Sequence, residues 1–191
     1  MPEFKQLSPD LMKERLALPE GGPVRLLIDT DTANEIDDQY ALAWALLSPE
    51  KMTVEAITAE PFSFAHHQPE LLKAERAIEE GGHHKEHLVG GFQGWINRLH
   101  AQGRRAADLS FVGPAEGMEL SYTEILTIYD KLGMSSEGKV FRGAPRYMAD
   151  AGDIVDSEAV DTIIDLAKSG TAPLYIAAMG CVTNIAAALL K

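Results

Sequence analysis

Residues 24–47, with the sequence VRLLIDTDTANEIDDQYALAWALL, decide the fold. A largely apolar run at 24–28 predicts a strand that is buried on both faces, and residues 40–47 predict an apolar helix. The loop that joins these two segments is strongly acidic. A strand, a loop and a helix in this order indicate the first unit of a parallel α/β sheet.

The rest of the chain repeats this alternation. Further strands are predicted at residues 52–58, 139–142 and 174–179, and further helices at 69–80, 121–132, 157–169 and from about 184 onward. Ser121 and Glu124 form the pattern of a capping box, and Ser157 is the predicted cap of the next helix. The predicted fold class is therefore α/β, with an open, mostly parallel sheet and helices on both faces.

Length and rhythm predict a single α/β domain over residues 1–191. Residues 82–117 interrupt the alternation with Gly, His, Arg and Trp in no clear period, so we expect an insertion or a long loop there. The chain ends at Lys191, shortly after its last predicted helix begins, without a capping glycine or a closing strand. We therefore expect it to be the N-terminal portion of a domain that is truncated at its C-terminus.

Composition limits the partners that we expect. The chain is 46% hydrophobic and 24% charged, as is typical of globular proteins, and its formal net charge is −12. Such a charge repels phosphate backbones and anionic lipids, so we expect neither nucleic acid nor a membrane as a partner. Residues 1–22 lack the apolar run of a secretory signal, and the sole cysteine, Cys181, cannot form an internal disulfide. These features favour a cytoplasmic location.

The acidic loop is the strongest chemical signal. Five carboxylates fall within ten residues, namely Asp29, Asp31, Glu35, Asp37 and Asp38. Helix capping by Asp37 and Asp38 explains one or two acids but not five. Two carboxylates about 4 Å apart repel by ~4 kcal/mol at an effective dielectric constant of 20, so the crowding calls for a cation. With oxygen ligands alone, Ca²⁺ or Mg²⁺ is favoured over zinc.

Two segments resemble a known family. Residues 26–50, LLIDTDTANEIDDQYALAWALLSPE, resemble the D-T-D-P-G-x-D-D fingerprint of the inosine-uridine preferring nucleoside hydrolases, in the divergent form with N-E-I-D-D. Residues 174–190, LYIAAMGCVTNIAAALL, resemble that family's strand, G-P-L-T-N-I-A turn and helix. The segments SEAVDTIIDLAKSG and GMELSYTEIL are also similar, so the resemblance covers most of residues 24–191 apart from the insertion.

The resemblance implies a Ca²⁺-dependent N-glycosyl hydrolase of purine and pyrimidine salvage, which releases base and ribose from a ribonucleoside. By position, Asp31 is the general base and a calcium ligand, and Asp38 is a bidentate calcium ligand. Asp37 would hold the ribose 2′-hydroxyl, while Asp29 would brace the loop. Thr183 would supply a backbone carbonyl to the calcium.

The chain departs from the family pattern in two places. The Gly-Asn pair that commonly follows the second strand is replaced by Ala59-Glu60-Pro61-Phe62. The remaining calcium-binding Asp and the leaving-group His of the family lie in a C-terminal half that these 191 residues do not contain. We therefore expect weak calcium binding and little turnover from the isolated chain. We also expect homo-oligomers, because the uncovered apolar surface would promote self-association.

Two other functions stay open. The D-T-D-T-A segment resembles the D-x-D-x-T loop of magnesium phosphatases of the haloacid dehalogenase type, although Ala33 stands at the Thr position and the later acids are unexplained. A non-catalytic or truncated chain that binds metal or sugar is the second alternative. His83, His84 and His87 are spaced so that two could share a transition metal, but their glycine-rich setting favours a solvated surface.

Overall fold

A computed structural model describes residues 6–17, 19–81, 87–170 and 172–191. Within these ranges the strands are β1 (Val24–Thr30), β2 (Met52–Ala59), β3 (Val140–Phe141) and β4 (Leu174–Ala178). The helices are α1 (Pro9–Leu16), α2 (Ile36–Leu46), α3 (His67–Glu79), α4 (His87–Ala101), α5 (Pro114–Lys131), α6 (Glu158–Ser169) and α7 (Thr183–Leu190). None of the helices in these ranges has the length and apolar character needed to cross a bilayer.

The four strands form one parallel sheet in the order β3-β2-β1-β4, which confirms the predicted α/β class. Strand β1 is central and pairs with β2 on one side and β4 on the other. The chain builds outward through β2 and β3 and then returns to the opposite side of β1. Such a switch in strand order opens a crevice at the carboxyl ends of the strands, where open α/β sheets bind ligands.

Helices cover both faces of this sheet, as the sequence predicts. Leu26 and Ile28 of β1 pack with residues of α2 and α5, including Leu42 and Ile125. Leu27 points to the other face, as alternation along a strand requires, and packs in the cluster that contains Ile163 of α6. Because helices cover both faces of the sheet, β1 does not show the alternation of apolar and polar residues that is typical of a half-exposed strand.

The chain divides into two compact units where the sequence predicted one domain. The first contains residues 1–62 and 114–191, and the second contains residues 63–113. The second unit consists of α3, α4 and a short 3-10 helix at Ala106–Asp108, packed around Leu71, Ala74, Ile96 and Ala106. The long-loop alternative for residues 82–117 is wrong, because α4 lies within them, whereas the insertion alternative is not contradicted. Glycines obscured a helical spacing of apolar residues there. His83 and His84 lie outside the described residues.

The two predicted helix caps had different outcomes. Ser157 caps α6, and its hydroxyl accepts the Val160 N–H at 3.2 Å. Ser121 is not a cap, because α5 begins at Pro114 and places Ser121 in its buried interior. The local Ser-x-x-Glu pattern cannot show that the preceding residues are also helical, whereas a proline fits the first position of a helix well.

Candidate active site at the carboxyl end of the sheet

The acidic loop lies at the carboxyl end of the central strand. Asp29 belongs to β1, Asp31 follows its last residue, and Asp37 and Asp38 lie in the first turn of α2. Asp29, Asp31 and Asp38 are buried, whereas Asp37 and Glu35 are exposed. The fold therefore separates the five predicted carboxylates into three buried acids and two that face solvent.

Asp29 is fixed by neighbouring elements. Its Oδ1 accepts hydrogen bonds from Thr58 Oγ1 at 2.6 Å and from Asn184 Nδ2 at 2.9 Å. Asn184 also donates to the Ala59 carbonyl and accepts the Ala144 N–H, so all three of its hydrogen bonds hold this end of the sheet together. The other oxygen of Asp29 is buried and has no partner among the described residues.

Asp38 is held by the hydroxyl of Thr30, which also contacts the hydroxyl of Thr32. Thr30 Oγ1 donates to Asp38 Oδ2 at 2.5 Å, and the Thr30 and Thr32 hydroxyls are 2.7 Å apart. Burial raises the pKa of Asp38, and the charges of Asp31 and Asp37 act in the same direction against the hydrogen bond from Thr30. A nearby cation would reverse this effect and favour the carboxylate.

Asp31 has one oriented oxygen and one free oxygen. Asn34 Nδ2 donates to Asp31 Oδ2 at 2.9 Å, and the Asn34 backbone N–H donates to the Asp31 carbonyl at 2.7 Å. Asp31 Oδ1 is buried without a hydrogen-bond partner in the described part of the chain. The side chain is therefore positioned, while one oxygen stays available to a ligand.

Thr183 begins α7, beside Asn184, and is buried. The carbonyl of the first residue in an α-helix accepts the N–H four residues later, but a carbonyl oxygen has a second lone pair that remains free. Cys181 is only partly buried, and its thiol donates to the Pro61 carbonyl at 2.9 Å. Burial raises the pKa of this thiol, which favours its unreactive protonated form.

Glu60 is the site residue that the sequence did not identify. It follows β2, its backbone N–H donates to the Thr30 carbonyl at 2.8 Å, and its side chain is fully buried. Neither carboxyl oxygen meets a hydrogen-bond donor among the described residues, so its hydrogen bond with Asp29 requires a shared proton. Burial and the adjacent Asp29 raise the pKa of Glu60 to about 12. The available signal was an acid directly after a buried strand.

Gly180 leaves space for these acids at the end of β4. A side-chain carbon at this position would lie 2.5 Å from Glu60 Oε2 and 2.6 Å from Asp31 Oδ1. Carbon and oxygen atoms do not approach this closely without a bond between them, so any larger residue would displace one of the carboxyl groups. Glycine is therefore required by the close approach of the two acids.

The site thus combines four buried acids with an excess of free oxygens. Asp29, Asp31 and Glu60 contribute buried oxygens that have no partner in the described ranges. Burying ionised groups without partners is costly, so the cluster must hold either protons or a cation. No three His, Cys, Asp or Glu side chains in the described part of the chain already form a metal-binding group. The carboxylate groups would therefore have to move closer together to bind an ion.

No protein-family model, curated protein or solved structure matches this chain.

Proposed function

We propose that this site binds Ca²⁺ and hydrolyses the N-glycosidic bond of ribonucleosides. The observation that carries the proposal is the set of buried, unpartnered carboxyl oxygens at the carboxyl end of β1. The proposal also rests on the resemblance of the surrounding sequence to the nucleoside hydrolases. The location supports it, because ligands of open parallel sheets bind beyond the carboxyl ends of the strands.

The residues present suit a hard cation. Asp31 and Asp38 would supply carboxylate oxygens, and the Thr183 carbonyl would supply a neutral oxygen through its free lone pair. The free Oδ1 of Asp31 is the best placed of these atoms, since its other oxygen is already held by Asn34. Asp29 would act by fixing this end of β1 through Thr58 and Asn184.

In the proposed reaction Asp31 takes a proton from the attacking water, whose oxygen bonds to C1′ of the ribose as the C1′–N bond breaks and the departing base takes a proton from solvent. A bound cation would lower the pKa of that water and so make it a better nucleophile. Asp37, which is exposed in the first turn of α2, would hold the ribose 2′-hydroxyl from the solvent side. The sugar develops positive charge in the transition state of glycoside hydrolysis, and an acidic site stabilises that charge.

The buried position of Asp29 favours this proposal over a phosphatase. In the phosphatase alternative Asp29 would be the nucleophile that attacks a phosphate ester. Its side chain is fully buried, and its Oδ1 already accepts two hydrogen bonds. An Asp29 that supports the acidic loop has to be buried and hydrogen-bonded in this way. A nucleophile, by contrast, needs an oxygen that the substrate can reach.

Calorimetry with Ca²⁺ tests the metal site. Asp38→Asn should weaken calcium binding at least tenfold, because the site loses one carboxylate charge. Asp37→Asn is the matched control. It makes the same change at the adjacent position, but its exposed charge is screened, so we expect less than about a threefold effect. Equal calcium affinity in the parent and Asp38→Asn would contradict the metal assignment.

Ribose release from a panel of ribonucleosides, measured with Ca²⁺ present, tests the reaction. Base-dependent release of ribose would support hydrolysis and would identify the preferred nucleoside. Calcium binding without ribose release from any nucleoside would instead favour the non-catalytic alternative. Release of phosphate from phosphate esters would favour the phosphatase.

A further inference from the structure

Glu60 lacks the partners that a buried structural glutamate needs. Its side chain is fully buried, and both carboxyl oxygens are without a hydrogen-bond donor in the described part of the chain. A carboxylate transferred from water into such a setting costs several kcal/mol unless a proton or a cation compensates it.

A proton shared with Asp29 explains only part of this arrangement. A hydrogen bond between the two side chains and the charge of Asp29 both act on Glu60, and Asp29 Oδ2 has no other partner in the described ranges. One shared proton would satisfy one oxygen of each acid. It would leave the second oxygen of Glu60 and Oδ1 of Asp31 buried without a partner.

The side chains of Glu60 and Asp31 converge beside Gly180. Glu60 Oε2 and Asp31 Oδ1 lie 2.5 and 2.6 Å from the position that a side-chain carbon of Gly180 would take. The two oxygens are therefore close enough to be ligands of one ion, since opposite ligands of a Ca²⁺ ion are about 5 Å apart. Glycine at position 180 keeps this approach open.

We propose that Glu60 is a direct ligand of the cation that Asp31 and Asp38 bind, and that Gly180 provides the space in which Glu60 and Asp31 meet. This inference rests on the proposed calcium site and adds a ligand to it. It also adds the carboxylate that follows β2 to those of Asp31, which follows β1, and Asp38 of α2, so the cation would join two strand ends and a helix.

The test compares Ca²⁺ affinity by calorimetry in the parent, Glu60→Gln and Glu55→Gln. Glutamine has the shape of a protonated glutamate, so Glu60→Gln preserves a neutral partner for Asp29 but removes a charged ligand. We expect calcium affinity to fall at least tenfold in Glu60→Gln, with the melting temperature of the calcium-free protein unchanged or raised. Glu55→Gln, on the same strand, should leave the affinity unchanged, because Glu55 is paired with Arg25.

The outcomes separate the two proposals. If Glu60→Gln binds Ca²⁺ as the parent does while Asp38→Asn binds weakly, Glu60 is not a ligand and the calcium site survives. If the parent binds no Ca²⁺, both proposals are wrong.

A measurement on the parent protein covers the case in which Glu60→Gln does not fold. Infrared difference spectra with and without Ca²⁺ would be recorded on protein labelled with ¹³C-glutamate, so that glutamate bands separate from aspartate bands. Ligation by Glu60 should shift a glutamate carboxyl band on calcium addition. Glutamate bands that do not respond to Ca²⁺ would overturn the inference.

Discussion

Glu60 and Glu75 are buried glutamates in the two compact units, and their surroundings differ completely. Glu75 of α3 is 2.7 Å from Nε2 of His100, accepts the Ala106 N–H at 3.2 Å and pairs with Arg105 at 3.2 Å. Glu60 has no such donors in the described residues. The second unit uses its buried acid to connect two helices and a 3-10 turn, whereas the first unit leaves its acid free for a ligand.

The pKa values of the two acids shift in opposite directions. Burial alone would raise the pKa of Glu75, but His100, the Ala106 N–H and Arg105 together hold it below its usual value. Burial and Asp29 raise the pKa of Glu60 to about 12. Burial alone therefore does not decide whether a carboxyl group is protonated. The groups that contact it decide this. The comparison predicts that changes at the free acids affect ligand chemistry, while changes at Glu75 affect folding.

The largest expected effect is on catalysis. With Ca²⁺ present, Asp31→Asn should lower ribose release by roughly 10²- to 10⁴-fold, which is the usual contribution of a positioned general base. The melting temperature of the calcium-free protein should not fall, because Asn removes a buried charge at nearly constant volume. Assays of ribose release and thermal unfolding test both statements. Turnover at the parental rate would remove Asp31 from its proposed role.

The opposite behaviour is expected for Glu75→Gln. Its amide cannot satisfy the same donors, so we expect the free energy of unfolding to fall by about 1–3 kcal/mol. Calcium affinity should match that of the parent. Urea denaturation and calorimetry on the same preparation provide the measurement. A variant that keeps parental stability would show that the partners of Glu75 contribute little.

The smallest expected effect is a change with pH in the free energy of unfolding of the calcium-free protein. Folded Glu60 keeps its proton up to a pKa of about 12, whereas the unfolded chain releases it near the ordinary value of 4.5. The stability that the Glu60 proton contributes is fully present below the ordinary pKa of 4.5 and is lost as pH rises toward the pKa of the folded state. Between pH 6 and 9 we therefore expect the free energy of unfolding to decrease as pH rises, because folded Glu60 holds a proton that the unfolded chain has released. Urea denaturation across this range should show the slope in the parent.

Glu60→Gln should remove the contribution of this proton from the slope, because its amide does not titrate. Glu75→Gln should leave the slope between pH 6 and 9 in place. The lowered pKa of Glu75 gives stability that is present above 4.5 and lost only as pH falls. Equal slopes in the parent and Glu60→Gln would show that Glu60 is not the protonated group.

The sequence alone predicted the features that depend on local periodicity and capping. The apolar run of β1, the apolar helix α2 and the cap at Ser157 each depend on residues within a few positions of one another. The acidic loop was visible for the same reason, since its five carboxylates are neighbours along the chain. Local rules were wrong at Ser121, whose capping pattern is overridden by helical residues before it.

Only the tertiary structure decided which acids form the site. Asp31, Glu60 and Gly180 are far apart in sequence, and they meet because β1 lies between β2 and β4 with all three strands parallel. The same arrangement brings Asn184 to Asp29 and leaves Asp37 in solvent. A sequence pattern records spacing along the chain but not which strand ends are neighbours. The difference between a partnered and a free buried acid therefore appears only in the folded chain.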